Sequence, residues 1–284
     1  QAGIKNFTAI VANLRDAHRM EHIFNKYKPQ RVFHAAAYKH VPLMEENPYE
    51  AVKVNVFGTR ILADLAIAHQ VEKFVMISSD KAVNPTNVMG ATKRAAEIYI
   101  SSLFNTGKTK FITTRFGNVL GSNGSVIPLF KKQIAAGGPL TLTHKDITRY
   151  FMTIPEACGL VLEAGTMGEG GEIFIFDMGR SVKIITLAKR MIKLSGLSYP
   201  DDIDIIYTGL RPGEKLYEEL LATEENMLPT HHKKIMIAKV INLDTQKSKE
   251  AIIALCDLSE YSDVNSIVTK LKEIVPEYIS QNSS

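Results

Sequence analysis

The chain is 284 residues long, enough for one large domain or two interleaved ones, and its 45% hydrophobic and 23% charged residues are ordinary for a globular protein. Its 34 basic and 30 acidic residues leave a formal charge of +4, too small and too dispersed to make nucleic acid the main partner and better suited to small anionic ligands. Two cysteines, Cys158 and Cys256, exclude a disulfide framework and read as core residues of a reducing compartment, and no apolar run reaches the roughly 18 residues that a membrane span needs.

Taken in order, residues 7–11 are a short β-rich run, and residues 16–27 have helical spacing that Lys28-Pro29 stops. Residues 31–37 read as a buried strand running into the small-residue turn Ala35-Ala36-Ala37. A long helix is predicted over 49–70, with Val52, Val56, Ile61, Leu65 and Ala68 among its apolar positions. Buried strands follow at 73–78 and 110–115, with an amphipathic helix over 92–104 between them. Apolar strands alternating with long helices predict an α/β fold, a Rossmann-like doubly wound parallel sheet covered on both faces.

After Gly117 the texture changes, with glycine and proline clustered over 117–128. A strand is expected at 172–177, a helix at 186–195, and a charged turn, Arg211-Pro212-Gly213-Glu214-Lys215, opening another helix. The change divides a first domain, 1–120, from a smaller C-terminal substrate domain, 121–284, that exchanges elements with it. Residues 280–284 are expected to fray. A dinucleotide-binding sheet opens on a strand, a Gly-rich turn and a helix, yet no G-x-G-x-x-G occurs. The N-terminal part of the sheet, its Gly-rich first unit, is therefore expected to be missing.

Chemistry gathers first at the strand end Ser78-Ser79-Asp80-Lys81. Ligands bind at strand carboxyl ends in open α/β sheets, and a hydroxyl, a carboxylate and an amine there supply a donor, an acid and a base. The same residues would also suit an ordinary strand-to-loop turn. Downstream, Met89 and Lys93 stand four residues apart, so a helix puts both on one face. A lone helical lysine is usually solvated; one that closely follows such a strand end invites a functional reading.

The run Ser-Ser-Asp-Lys-Ala-Val-Asn-Pro-Thr-Asn-Val-Met-Gly-Ala-Thr-Lys, residues 78–93, resembles the catalytic segment of the UDP-N-acetylglucosamine 4,6-dehydratases, which are extended short-chain dehydrogenase/reductases. The resemblance extends to the segments 34–42, 115–128 and 209–215. In that superfamily the positions of Met89 and Lys93 hold a tyrosine and a lysine. Methionine at the first resembles the long, membrane-anchored branch of the family, used in capsule and glycan synthesis.

The resemblance implies an NAD-dependent hydro-lyase acting on a UDP-sugar. Hydride leaves sugar C4, the ketone acidifies C5, water is lost across C5 and C6, and hydride returns to C6. Lys81 is then the base for the C5 proton, provided that Lys93 and burial lower its pKa. Asp80 protonates the departing C6 hydroxyl. Met89 cannot transfer a proton, so the C4 proton falls to Asp80, with Ser79 acting with it or a bound water as the alternatives. Lys93 also holds the nicotinamide ribose.

Cofactor binding is assigned to Asn13 and Leu14 beside adenine, to Ala35, Ala36 and Ala37 for close backbone approach, and to Lys39, Asn55, Ser78, Lys93 and Arg115. Asn55 would tie its helix to the neighbouring strand, Arg115 would alternatively be a buried structural arginine, and Lys39 would alternatively stand solvated. Substrate contacts are assigned to Lys39, Asn118, Ser125, Val126, Arg149, Arg211 and Glu214, with the three arginines 115, 149 and 211 as candidates for the diphosphate. No metal centre is expected: His231-His232 has no ligand at metal spacing, and His34 and His40 read as structural.

Two alternatives remain at this stage. A UDP-sugar 4-epimerase of the same superfamily would share fold and cofactor without needing Asp80 and Lys81. A nucleotide-binding module without turnover would account for Met89 and the absent glycines. A homo-oligomer is expected, since helices 51–68 and 94–104 are natural dimer faces in the superfamily, as is a cytoplasmic location, free or as the cytoplasmic part of an inner-membrane protein.

Overall fold

A computed structural model of the chain describes residues 6–104, 106–122, 124–219, 227–238, 245–258 and 262–280. Helix α1 (Ala17–Tyr27) starts where Asp16 accepts a hydrogen bond from the Arg19 amide and stops at left-handed Lys28, before Pro29. Strand β1 (Arg31–His34) leads through the alanine turn to α2 (Val41–Glu46), α3 (Pro48–Val52), a π-helical turn at Lys53–Phe57 and α4 (Gly58–Ala68). The helix expected over 49–70 is thus one rod with a π-helical turn in it.

Strand β2 (Lys73–Ile77), a 3-10 turn at Asp80–Ala82, α5 (Val88–Ser102) and β3 (Lys110–Arg115) follow. Then come β4 (Asn118–Val119), α6 (Val126–Ala135), β5 (Leu140–Leu142), β6 (Thr148–Arg149), β7 (Phe151–Met152) and α7 (Ile154–Met167). The chain continues through β8 (Ile173–Phe176), β9 (Val182–Lys183), α8 (Ile184–Leu194) and β10 (Ile205–Tyr207). It ends with β11 (Met227–Pro229), β12 (Ile235–Ala238), α9 (Thr245–Cys256) and α10 (Val264–Ile274).

The main sheet has the order β1-β2-β3-β8-β12-β11; its first four strands are parallel and the last two antiparallel. Alternation along the strands sends Phe74, Met76 and Phe111 into one core with α4, α5, α9 and α10, and Val75, Ile112, Phe174 and Phe176 into a second core with α7. A third core, around Phe130, Leu140, Ile192 and Ile205, joins α6, α8, β5 and β10 beyond the carboxyl ends of the strands. The chain crosses from the sheet to that lobe after β3 and returns at β8.

Several expectations are corrected. Residues 7–11 form no strand: Phe7 is 77% and Val11 97% exposed, and nothing among the described residues pairs with them. A strand exists only through its neighbour's hydrogen bonds, so β-propensity alone does not make one here. Strand β1 is not buried but lies at the sheet edge with Phe33 exposed; only His34 is inside. Ala68 is exposed and Leu65 only half-buried. Helix α5 begins before residue 92, because Asn87 Oδ1 accepts from the Gly90 amide at 2.8 Å and caps it. No helix follows Lys215 as far as Glu219, and of residues 280–284, expected to fray, 281–284 lie outside the described residues. Cys158 is exposed on α7, so only Cys256 is a core cysteine, its thiol pushed up to about 11 by burial. Helices α9 and α10 pack across α3, the π-helical turn and α5. No described helix is long and apolar enough to cross a membrane.

Candidate active site

A cavity of about 520 Å³ opens between the carboxyl ends of β1, β2 and β3 and the lobe built on α6 and α8. The sheet side contributes Ala35, Ala37, Ser78, Ser79 and Lys81, and α5 contributes Met89 and Lys93. The lobe side contributes Asn118, Ser125, Val126, Arg149, Arg211 and Glu214. Fourteen of the positions singled out in the sequence, Lys39 included, therefore meet in one cleft.

The end of β2 turns sharply because Ser79 caps the 3-10 turn, its Oγ accepting from the Lys81 amide at 3.2 Å. That hydroxyl donates to Asp80 Oδ1 at 2.8 Å, and Lys81 Nζ donates to the same oxygen at 3.1 Å. Asp80 is 1% exposed and stands behind the cavity wall, so Ser79 and Lys81, not the carboxylate, face the cleft. Asp80 Oδ2 is buried without a hydrogen-bond partner, against Gly117, where a Cβ would stand 3.1 Å away.

The electrostatics of Lys81 also differ from the expectation. Burial acts to lower its pKa, but Asp80 and then Glu218, whose Oε1 lies 3.2 Å from Nζ, overcome it and raise the pKa above the ordinary lysine value, while Arg149 opposes them. Lys93 is not among the causes. Lys81 is an ammonium held between two carboxylates, not an amine kept neutral by burial.

Lys93 is the residue whose pKa falls, to about 8, because burial outweighs the Glu97 carboxylate one turn along α5. Its Nζ donates to the Ile77 carbonyl at 2.7 Å. Met89 occupies the preceding turn on the same face, buried, lining both the cavity and the core. Lys39, exposed at the mouth, reaches Ser122 Oγ at 3.4 Å, and its pKa is lowered by partial burial and by Lys81.

Opposite, Arg149 Nη2 bonds Glu214 at 3.2 Å and its Nε lies 3.5 Å from Glu218. The turn carrying Arg211 is docked on the loop before α5: Thr86 Oγ1 and Asn87 Nδ2 both donate to the Gly213 carbonyl at 3.0 Å. Gly213 has φ 73°, and a Cβ there would stand 2.7 Å from Asn87 Cβ, so glycine is required on both counts. Ser125, at the N-terminus of α6, has a buried hydroxyl with no protein partner.

Other expected site residues lie elsewhere. Arg115 does not line the cavity: both arms of its guanidinium engage Glu97 in the interior, Nε at 2.7 Å. That carboxylate, disfavoured by burial, is held charged below the usual range by Arg115, Arg94 and the Ser78 hydroxyl. Asn55 ties its helix to the loop after β1, accepting from the Tyr38 amide at 2.8 Å and donating to the Tyr38 carbonyl and Thr92 Oγ1, each at 3.0 Å. Asn13 accepts from the Arg15 amide at 3.0 Å and Leu14 rests on Gly58; neither lines the cavity. Ala35 and Ala36 are exposed, so the turn is open rather than packed. Sequence reasoning missed Glu218 and Glu97. Glu97 was within reach, being four residues after Lys93 on one helix face; Glu218 was not, since no helix repeat leads to it.

The family described as polysaccharide biosynthesis protein matches residues 1–240. The chain is 56% identical over 235 residues to a capsular polysaccharide biosynthesis protein of Staphylococcus aureus, covering 82% of this chain but 39% of that one, about two fifths of its length. It is 37% identical over 229 residues to an inverting UDP-N-acetylglucosamine 4,6-dehydratase of Campylobacter jejuni, 79% of this chain and 66% of that one. It is also 41% identical over 197 residues to a UDP-glucose 4-epimerase of Rickettsia rickettsii, 68% and 56% of the two chains. Among solved structures, Pen from Bacillus thuringiensis superposes with TM-score 0.76 and 34% identity over 88% of this chain and 82% of that one. A UDP-glucose 4-epimerase of Thermus thermophilus in complex with NAD shares the fold at TM-score 0.65 and 22% identity, over 73% and 74%.

Proposed function

Since the chain belongs to the polysaccharide biosynthesis protein family, we propose that its cavity carries out the NAD-dependent 4,6-dehydration of a UDP-N-acetylhexosamine, UDP-N-acetylglucosamine in the first instance. The observation that carries this reading is the hydrogen-bonded chain Ser79–Asp80–Lys81 at the cavity wall, beside a Lys93 whose partner position holds methionine. An enzyme that only oxidises and re-reduces C4 needs one proton acceptor there. A second proton-handling group at the same wall suits removal of the C5 proton, and the dehydratase from Campylobacter jejuni supports this choice.

The exposed alanine turn gives the backbone room to lie against a dinucleotide, and Lys93 offers an amine beside it. NAD, when bound, supplies the hydride acceptor for C4 and the donor for C6. For the diphosphate, Arg149 and Arg211 supply guanidinium groups, and the N-terminus of α6 supplies free amides with the unpartnered Ser125 hydroxyl.

Proton transfer follows the hydrogen bonds. Ser79 passes the C4 hydroxyl proton to Asp80, taking the part that Met89 cannot play. Neutralising Asp80 removes the larger of the two carboxylate influences that keep Lys81 charged. Lys81, once it has given up a proton, is the acceptor for the C5 proton, and Asp80 returns its own proton through Ser79 to the departing C6 oxygen. The test is Asp80→Asn, which keeps the side chain's shape and removes the proton store. Turnover should fall by at least about 100-fold, with the thermal melt nearly unchanged. Near-normal turnover in that variant would remove Asp80 from the reaction.

The second reading, a UDP-sugar 4-epimerase, is favoured by the 41% identity to the relative from Rickettsia rickettsii. It leaves Lys81 and its second carboxylate without a task.

A further inference from the structure

One proton has no place in the cycle so far. Lys81 stands as an ammonium, and an ammonium accepts the C5 proton only after giving one up. Asp80 is not the acceptor, since it stores the C4 proton until the C6 oxygen leaves. We propose that Glu218 accepts this proton from Lys81 and returns it at the end of each turnover, a role that rests on the dehydratase reading. Glu218 Oε1 lies 3.2 Å from Lys81 Nζ, and its side chain is 3% exposed at the cavity wall. A carboxylate at that distance from an ammonium, shielded from water, exchanges a proton without any rearrangement.

The charged groups around the pair decide when the transfer occurs. Asp80 and Glu218 hold the proton on Lys81, while Arg149, and Lys39 across the cavity, act against a charge there. Arg149 Nε stands 3.5 Å from Glu218 Oε1 while its Nη2 holds Glu214 at 3.2 Å. A diphosphate that engages Arg149 draws it from Glu218, so substrate binding itself readies the acceptor. The balance is then complete. Oxidation of C4 puts one proton on Asp80, and Lys81 gives one to Glu218. The neutral amine takes the C5 proton, and Asp80 protonates the C6 oxygen that leaves as water. When hydride returns to C6, Lys81 protonates C5 and recovers its first proton from Glu218.

The experiment compares wild type, Glu218→Gln and Glu218→Asp in the full chain with NAD and UDP-N-acetylglucosamine. It reads product mass, reduced-cofactor absorbance and deuterium exchange at C5 between pH 6.5 and 9.5. Glu218→Gln should form reduced cofactor as wild type does, yet lose water at least about 100-fold more slowly near pH 7. Its rate should recover by up to about tenfold per pH unit as hydroxide takes over the deprotonation of Lys81, while the wild-type rate stays flatter. A loss equal at every pH, unchanged C5 exchange or near-wild-type turnover would overturn the role. Should the glutamine variant not fold, Glu218→Asp decides, since a shortened carboxylate must show the same pH-dependent recovery and a pH-independent defect contradicts it. A wild-type product of unchanged mass would instead overturn the dehydratase reading, and the role of Glu218 with it.

Discussion

At the scale of single residues, the interior beside Lys93 is defined by how strongly it resists charge. His34, at the end of β1, is 3% exposed, with its Nε2 2.8 Å from Thr59 Oγ1, and burial followed by the nearby Lys93 lowers its pKa from 6.5 to about 3. A histidine whose folded pKa lies below its unfolded one binds its proton more readily when unfolded. Stability is therefore intact above about pH 6.5 and lost as pH falls toward 3, by up to about 1.4 kcal/mol per unit. Urea midpoints measured across that window should fall in the wild type and fall less steeply in His34→Gln; equal slopes would contradict the assignment. The shared placement of Ser79, Met89 and Lys93 at one cleft could be read because they sit close together in sequence at a strand end and on one helix face. The state of Lys81 could not, because the carboxylate that completes its environment, Glu218, belongs to a segment far along the chain. Arg115 was ambiguous in the sequence for the same kind of reason: a buried arginine and a ligand-binding one differ only in whether a carboxylate such as Glu97 faces them.

At the scale of elements, α5 organises the site, and its position is fixed from both ends. Asn87 caps it and carries the Gly213 turn, so one side chain sets both the helix start and the placement of Arg211. At its outer face Arg94 bonds Glu97 and, at 2.8 Å, Glu277 in the segment that follows α10. In the same segment the Ile279 amide donates to the Pro85 carbonyl at 3.0 Å, inside the loop joining Lys81 to α5. The chain's last described turn thus buttresses the loop that follows Ser79 and Lys81. Glu277→Ala should lower stability by about 1 kcal/mol, since its carboxylate is partly exposed, and lower kcat a few-fold through displacement of that loop. An unchanged melt together with unchanged kinetics would show that the tether is dispensable. Strands β2 and β3 and helix α5 were legible from apolar runs and helical spacing. The π-helical turn was not, because its residues keep the apolar spacing of an α-helix, while Asn55 within it bonds Tyr38 and Thr92.

At the scale of the whole molecule, the parallel core β1-β2-β3-β8 follows from apolar strands separated by helices, and that much was readable in advance. Its antiparallel extension by β12 and β11 was not, since the residues around them mix polar and apolar types without a clear period. Nor was the packing of α9 and α10 on α5, where an amphipathic helix looks the same whether its own chain or a second copy covers it. The result is a cleft whose sheet side carries Ser79, Lys81 and Lys93 and whose lobe side carries Arg149 and Arg211. Dehydration and epimerisation share this architecture and differ in whether the C5 proton is removed. The most direct measurement is the mass of the product formed by the full chain from UDP-N-acetylglucosamine with NAD present. A product lighter by one water is the predicted result; a product of unchanged mass would contradict the account.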